Sequence, residues 1–395
     1  MKKVSLQEAG DLKGKRVLVR SDFNVDLTDS MEIVDDLRIQ RALPTYRYLI
    51  DAGAKVVAMT HLGRPKGEAD DKLKVDAIAG RLGELLKVHV TKTDDCIGDA
   101  VRSECDALQN GEVLMLENTR FHSEDQDKDS DFAKELASLA DVYVSDAFGV
   151  SHRGDASVAG VAKYLPTFSG LLIEQELAEL DAFAENPEKP YVFVIGGAKL
   201  KTKIGLINNL IDTADHILVG GALANTFLKA QGFEIGKSLY EEEFLKDAEA
   251  ALTQAGGNAD RLILPTDVVV AEDMDSNVIQ TVPVEAIPSD MSVYDIGPET
   301  TVRFGAFISE AASLAMNGAM GVFEQEQFAT GTRTVFQDIA VAKVKKISGG
   351  GETIIALNNY NLADKIDFIS TGGGAMLSYL EGASMPGLEV IPNKP

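Results

Sequence analysis

The chain has 395 residues, room for two or three domains of about 100–200 residues each. Its 62 Asp and Glu outweigh 38 Lys and Arg, and the formal net charge of −24 argues against nucleic-acid binding and against a basic grip on anionic lipid. A composition 45% hydrophobic and 25% charged is that of a globular protein, so any anionic ligand has to be met by cations gathered locally.

Cys96 and Cys105 are too few for a disulfide framework or a cysteine zinc site and read as free thiols in a reducing compartment. Val4 to Arg20 alternate polar and apolar, without the continuous apolar core of a signal peptide, and no segment reaches about 18 uninterrupted apolar residues. A cytoplasmic protein without a membrane span is expected.

In chain order, short apolar runs lie at Arg16–Arg20, Lys55–Met59, Val113–Leu116, Val142–Val144, Tyr191–Ile195, His216–Val219, Arg261–Leu264 with Val268–Val270, Gly321–Phe323, Thr353–Ala356 and Phe368–Ile369. Most are β-branched and unalternating, as expected of parallel strands covered on both faces by crossover helices. The Thr353 run fits a helix opening after the glycines equally well. Helical patterns fall at Asp131–Ala140, Ile204–Ile211 and Glu241–Ala255. The fold class is α/β, with doubly wound parallel sheets. Leu171–Glu185 reads as a helix stopped by Asn186-Pro187-Glu188-Lys189-Pro190, since proline cannot continue a helix. This divides the chain into two lobes, 1–170 and 190–375, joined by a hinge helix and linker at 171–189.

Ten of the thirteen arginines precede residue 170, whereas the glycine pairs and triplets cluster in the second half. Arginine suits bidentate recognition of carboxylate and phosphate; glycine turns bring backbone amides close to a polyphosphate. Open α/β sheets bind ligands beyond the carboxyl ends of their strands. There the first half places Asp22-Phe23-Asn24, His61-Leu62-Gly63-Arg64, Glu117-Asn118-Thr119-Arg120 and Asp146 followed by His152-Arg153, with Arg38 in a nearby helical stretch. His89, His122 and His216 lack such a setting and read as structural, and a metal site on His61 and His152 lacks a close second ligand for either. In the second half Gly196-Gly197-Ala198-Lys199 with Lys201 and Lys203, then Gly220-Gly221, Gly349-Gly350-Gly351-Glu352-Thr353 and Gly372-Gly373-Gly374, repeat a strand-to-glycine arrangement suited to phosphate. Gly232 to Ser238 imitates a Walker A loop but has three residues between its glycines where four are required, and no GxGxxG follows a strand.

Ten ordered strings, RVLVRSDFNV, HLGRPKG, LENTRF, SDAFGVSHR, IGGAKLKTKIG, GGALANTFL, DIGPET, NGAMGVFE, GGGET and STGGGA, resemble phosphoglycerate kinase along nearly the whole chain. The resemblance implies a hinge-bending monomer that moves a phosphoryl group from 1,3-bisphosphoglycerate to ADP, giving 3-phosphoglycerate and ATP with Mg2+. It implies a glycerate site of Asp22, Phe23, Asn24, Arg38, His61, Leu62, Gly63, Arg64, Arg120 and Arg153. The nucleotide would meet Gly196, Gly197, Lys203, Asn317, Glu324, Gly350, Gly351, Glu352 and Thr353, with Glu352 toward magnesium. Arg38 and Lys199 would flank the phosphoryl group in flight, and Gly372, Gly373 and Gly374 would offer it amides. Residues 376–395 would return to the first lobe.

Several positions depart from the family pattern. Ser21 and Asp26 stand at a usual Val and Pro, Asp155 at a His, Thr202 at an Asp, Val293 at a Gly, Met316 at a Trp, Ala319 at a Pro and Glu352 at an Asp. Thr202, Ala319 and Glu352 would also suit a non-catalytic homologue that binds a ligand or a protein. The retained arginines favour a working enzyme.

Overall fold

In this computed structural model the described residues are 2–256 and 261–394. They divide into two compact units, one running to Ala178 and resuming at Ala383, the other spanning Glu179–Gly382. No helix among the described residues is long and apolar enough to cross a membrane.

The first unit is built on six parallel strands: β1 (Arg16–Ser21), β2 (Lys55–Met59), β3 (Val90–Lys92), β4 (Val113–Met115), β5 (Val142–Asp146) and β6 (Thr167–Ser169). Their spatial order is β3-β4-β2-β1-β5-β6. Double-sided burial explains the unalternating runs. Val17, Val19, Val56 and Ala58 enter one core, while Leu18, Val57 and Met59 enter the core on the opposite face. The helix Leu37–Asp51 closes the first core with Ile39, Leu43, Tyr46 and Leu49, spaced on one helical face. The end of the chain belongs to this unit: Gly387 N donates to Ser151 O at 2.8 Å, and Val4 N donates to Pro392 O at 2.8 Å.

In the second unit β7 (Tyr191–Ile195), β8 (His216–Val219) and β9 (Leu262–Ile263) are followed by β10 (Asp267–Ala271), β11 (Ile279–Pro283) and β12 (Ser292–Ile296). Then come β13 (Ser313–Asn317), β14 (Lys345–Gly349) and β15 (Phe368–Ser370). The parallel sheet has the order β15-β14-β13-β7-β8-β9, and β11-β10-β12 form a separate antiparallel sheet. Both units are thus doubly wound α/β, as the apolar runs imply.

Two expectations need correction, and one that stood open between strand and helix is decided. Gly321–Phe323 is not a strand; the strand is the fully buried Ser313–Asn317 just before it, and Val322 N turns to donate to Tyr294 O. The Thr353 run is helical, within Gly351–Asn359, because the glycines before it end β14 and open a helix. Val268–Val270 lie in the small antiparallel sheet and do not extend the parallel one. The helix ends move by a few residues: Asp131–Ala140 becomes Ser130–Ala137, and Glu241–Ala255 becomes Leu245–Gln254.

The helix Leu171–Ala184 begins against a buried carboxylate at the end of β5. Asp146 Oδ1 accepts from Leu172 N at 3.0 Å and Ile173 N at 3.3 Å, two amides that a helix start leaves unpaired. Burial pushes the Asp146 carboxyl up to about 7, against the pull of these hydrogen bonds. A carboxyl raised from 3.8 to about 7 holds a proton in the folded state that the unfolded chain has released. Its contribution to stability therefore falls as pH rises through that window and levels off above it. Asp146→Asn keeps an amide-accepting oxygen without the charge. Between pH 5 and 8 its unfolding free energy is expected to lose roughly 2–3 kcal/mol less than that of the wild type. Urea titrations at both pH values measure this, and parallel losses would show that the carboxyl ionises freely.

Candidate active site

Beyond the carboxyl ends of β1, β2, β4 and β5, the first unit gathers the residues singled out from its sequence. The loop after β1 is tied to the loop after β2: Phe23 N donates to Thr60 Oγ1 at 3.0 Å, and Gly63 N donates to Asn24 Oδ1 at 2.7 Å. Leu62 is clasped from the loop after β4, where Asn118 Oδ1 accepts from Leu62 N and Asn118 Nδ2 donates to Leu62 O. Arg120 donates through Nη1 to Gly63 O at 2.9 Å. Arg38, in the first turn of Leu37–Asp51, donates to the buried Asp22 carboxylate. Arg153 is half-buried, while Arg64, next to Gly63 in the chain, is exposed.

Arg20 organises this cluster and is not distinguished by sequence reasoning. It is fully buried, with Nε 3.2 Å from Ser157 Oγ, Nη1 donating to Ser21 O, and Nη2 3.2 Å from His61 Nδ1. A guanidinium only donates, so His61 Nδ1 must accept and Nε2 carries the ring proton. Burial, followed by the charges of Arg20, Arg120, Arg153 and Arg38, holds His61 well below its ordinary pKa. The ring is therefore a neutral donor. The one available signal for Arg20 was a charged residue directly after the apolar Val17-Leu18-Val19 of a strand.

The arrangement leaves cationic donors unanswered. Arg120 Nε and Nη2 and Arg153 Nε are buried without hydrogen-bond partners. Burial and the neighbouring Arg153 and Arg20 lower the pKa of Arg120. Buried guanidinium nitrogens without hydrogen bonds are suited to an anion from outside, because leaving such donors unsatisfied is costly.

The second unit presents glycine turns around a cleft of ≈ 470 Å³, lined among others by Gly197, Gly221, Tyr294, Phe323, Glu324 and Glu352. Gly196 follows β7 and lies so close to the next strand's exit that a Cβ there would sit 2.0 Å from Ala319 O. Asn317 and Thr353 lock these turns together: Asn317 Nδ2 donates to Gly349 O at 2.6 Å, and Gly318 N donates to Thr353 Oγ1 at 2.7 Å. Lys203 is buried and donates to Gly196 O; burial lowers its pKa to about 8, partly offset by Glu352. Lys199 is exposed, with no side-chain partner among the described residues. Gly350 and Gly351 open the helix Gly351–Asn359, and Gly372 and Gly373 lead into the helix Gly374–Glu381. Lys237, from the segment that imitates a Walker A loop, also lines the cleft, although that segment follows a helix and not a strand. Asn225 lines it too and was not anticipated; its Oδ1 is buried without a partner.

Comparison with known proteins gives one consistent answer. A family model described as phosphoglycerate kinase matches residues 6–383. The chain belongs to the phosphoglycerate kinase family. It is 46% identical over 383 residues to the phosphoglycerate kinase of Desulfosudis oleivorans, covering 96% of this chain and 97% of that protein. It is 45% identical over 395 residues to that of Moorella thermoacetica, covering 100% of both. Among solved structures, phosphoglycerate kinase from Coxiella burnetii matches with TM-score 0.86 at 37% identity, and that from Pyrococcus horikoshii with TM-score 0.84 at 32%, each covering 98% of both chains.

Membership of the phosphoglycerate kinase family implies a nucleotide-using kinase, which generally needs Mg2+, and the residues present suit that ion. A Cβ on Gly197 would lie 3.5 Å from Glu352 Oε2 and 3.1 Å from Lys203 Nζ, so the glycine keeps open the space beside a hard oxygen donor. One carboxylate completed by phosphate oxygens is a usual magnesium set. Elsewhere, Asp95, Cys96 and His122 bring three ligand atoms within 4.8 Å of one another. There the His122 ring is already bonded to Asp95 Oδ1 at 2.7 Å, and burial pushes the Cys96 thiol well up, so the group reads as a hydrogen-bonded cluster.

Proposed function

We infer that this chain catalyses reversible phosphoryl transfer from 1,3-bisphosphoglycerate to ADP, giving 3-phosphoglycerate and ATP, as a cytoplasmic monomer. The observation that carries the reading is the set of buried guanidinium nitrogens on Arg120 and Arg153 that lack hydrogen bonds, beside a neutral His61 donor. These groups ask for a compact anion. In this reading Asp22, Asn24, Arg38, His61, Arg64, Arg120 and Arg153 hold the glycerate ligand. Gly196, Gly197, Lys203, Asn317, Glu324 and the 350–353 turn meet the nucleotide.

Transfer forms one P–O bond to the ADP β-phosphate and breaks the P–O bond to the acyl oxygen. The leaving group is a carboxylate, so no general acid is required and a neutral His61 is no handicap. What the protein has to supply is alignment, neutralisation of charge on the moving phosphoryl group and exclusion of water. Arg38 and Lys199 neutralise it from either side, and the amides of Gly372, Gly373 and Gly374 add donors. Bending at the helix and linker 171–189, between lobes 1–170 and 190–375, brings the two ligands together. Glu352, with the phosphate oxygens, would hold magnesium, which would supply further charge neutralisation.

A coupled assay with MgADP and MgGDP side by side tests the reading. ATP formation from 1,3-bisphosphoglycerate is expected, and its absence with both nucleotides would sink the proposal. Glu352→Asp withdraws the carboxylate by one methylene. If Glu352 holds the ion, the magnesium concentration for half-maximal rate should shift severalfold, whereas an unchanged magnesium dependence would remove Glu352 from the metal site.

A further inference from the structure

One carboxylate sits inside the cationic cluster with no hydrogen bond to satisfy it. Asp155 is 5% exposed, and its Oδ2 lies 3.7 Å from Arg120 Nη2, close enough for attraction but too far for a hydrogen bond. Neither atom has any other partner. The backbone holds Asp155 in place, because its carbonyl accepts from Val158 N at 3.0 Å and Ala159 N at 2.9 Å. These bonds anchor the backbone from which the carboxylate projects.

The charged surroundings of Asp155 come from four elements. Arg20 reaches it from β1, Arg120 from the loop after β4, and Arg153 from the loop after β5, which also carries His152. Asp125, in the short helix Ser123–Gln126, adds a second negative charge. Lys128 lies over the adjacent Gly154, its Nζ 3.4 Å from where a Cβ would stand. Asp125 is already satisfied, by Thr119 Oγ1 at 2.7 Å, Ser157 N at 2.8 Å and Ser157 Oγ at 3.1 Å. Asp155 is the member left over. Burial and Asp125 raise its pKa, against the pull of the three arginines.

An anion drawn to the free nitrogens of Arg120 and Arg153 would bring its oxygens beside this carboxylate. Two negative groups in a poorly solvated space repel strongly, whereas a protonated carboxyl becomes a donor to the incoming oxygen. We propose that Asp155 is a specificity-determining residue that takes up a proton from solvent when the phosphate of the glycerate ligand binds, making affinity for that ligand fall as pH rises. The balance is one proton gained by the carboxylate per ligand bound and returned on release. The inference rests on the proposed function, since it takes the ligand to be a phosphoglycerate.

Isothermal titration of 3-phosphoglycerate into the full chain, in buffers of different ionisation enthalpy at pH 6.5 and 8, tests it. The wild type should take up more protons than Asp155→Asn at pH 8, and the variant should bind at least about tenfold more tightly there. The comparison also removes the ligand phosphate's own titration, which is common to both proteins. Equal proton uptake and equal pH dependence in the two proteins would overturn the inference while leaving the proposed activity intact. Failure of the wild type to bind 3-phosphoglycerate at either pH would overturn the functional reading and this inference with it. Asp155→Ser serves as a second neutral variant should the first fail to fold.

Discussion

Arg38→Ala is expected to lower kcat for ATP formation by about 10³-fold, the range associated with an arginine that neutralises a phosphoryl group in transfer. The side chain is suited to that task by where it stands. It rises from the first turn of Leu37–Asp51, is one-third exposed, and anchors itself through one nitrogen on the Asp22 carboxylate. Its remaining donors stay available for a ligand. Because Asp22 is buried and loses its partner in the variant, some loss of stability accompanies the loss of activity. Chemical denaturation separates the two effects. Arg38→Lys keeps the charge but not the planar fork and should recover only part of the rate. Turnover within a fewfold of wild type in the alanine variant would remove Arg38 from the transfer step.

Lys199→Ala should cost about 10²–10³ in kcat, comparable to losing one preorganised charge-stabilising donor. Here the structural control is simpler. Lys199 is exposed and unpartnered among the described residues, so its removal leaves no orphaned group and should not change the unfolding midpoint. Lys203 differs. It is buried against Gly196 O, and its loss would disturb the turn itself. Single-turnover measurements with saturating nucleotide distinguish a chemical role from a binding role for Lys199. A rise in KM with kcat unchanged would place it in ground-state binding instead.

Much of the first cluster was legible because an acceptor or imidazole follows each of four strands, with arginine beside it at three of them. Asp22, Asn24, His61, Arg120 and Arg153 each follow an apolar run, and their neighbours in the chain announce them. Arg20 and Asp155 were not legible as partners. Arg20 lies inside β1, and it meets Ser157 and His61, 137 and 41 positions away. Asp155 was visible only as a departure from a family pattern, and its position 3.7 Å from Arg120 belongs to the fold. In the second unit the glycines were readable, but not that Asn317 and Thr353 spend their polar atoms tying those turns together.

The strands divide in the same way. Runs such as Tyr191–Ile195 declare themselves because both faces are buried and every residue is apolar or aromatic. β14 begins with two lysines and hides its character. Lys346 is buried, with its Nζ donating to Ala342 O at 2.7 Å, a contact no periodicity reports. β11 is mostly exposed and pairs on one side only, so its residues carry little apolar signal.

Two α/β lobes, the arginine-rich and glycine-rich halves and the ordered family strings are properties of neighbours along the chain, and the amino-acid order was enough for them. Which guanidinium nitrogens remain unpaired, which tautomer His61 holds and which carboxylate stands among the cations depend on groups brought together from distant positions. Burial then decides the chemistry: without water, an unanswered charge keeps its demand for a partner, and only folding determines which charges are left unanswered.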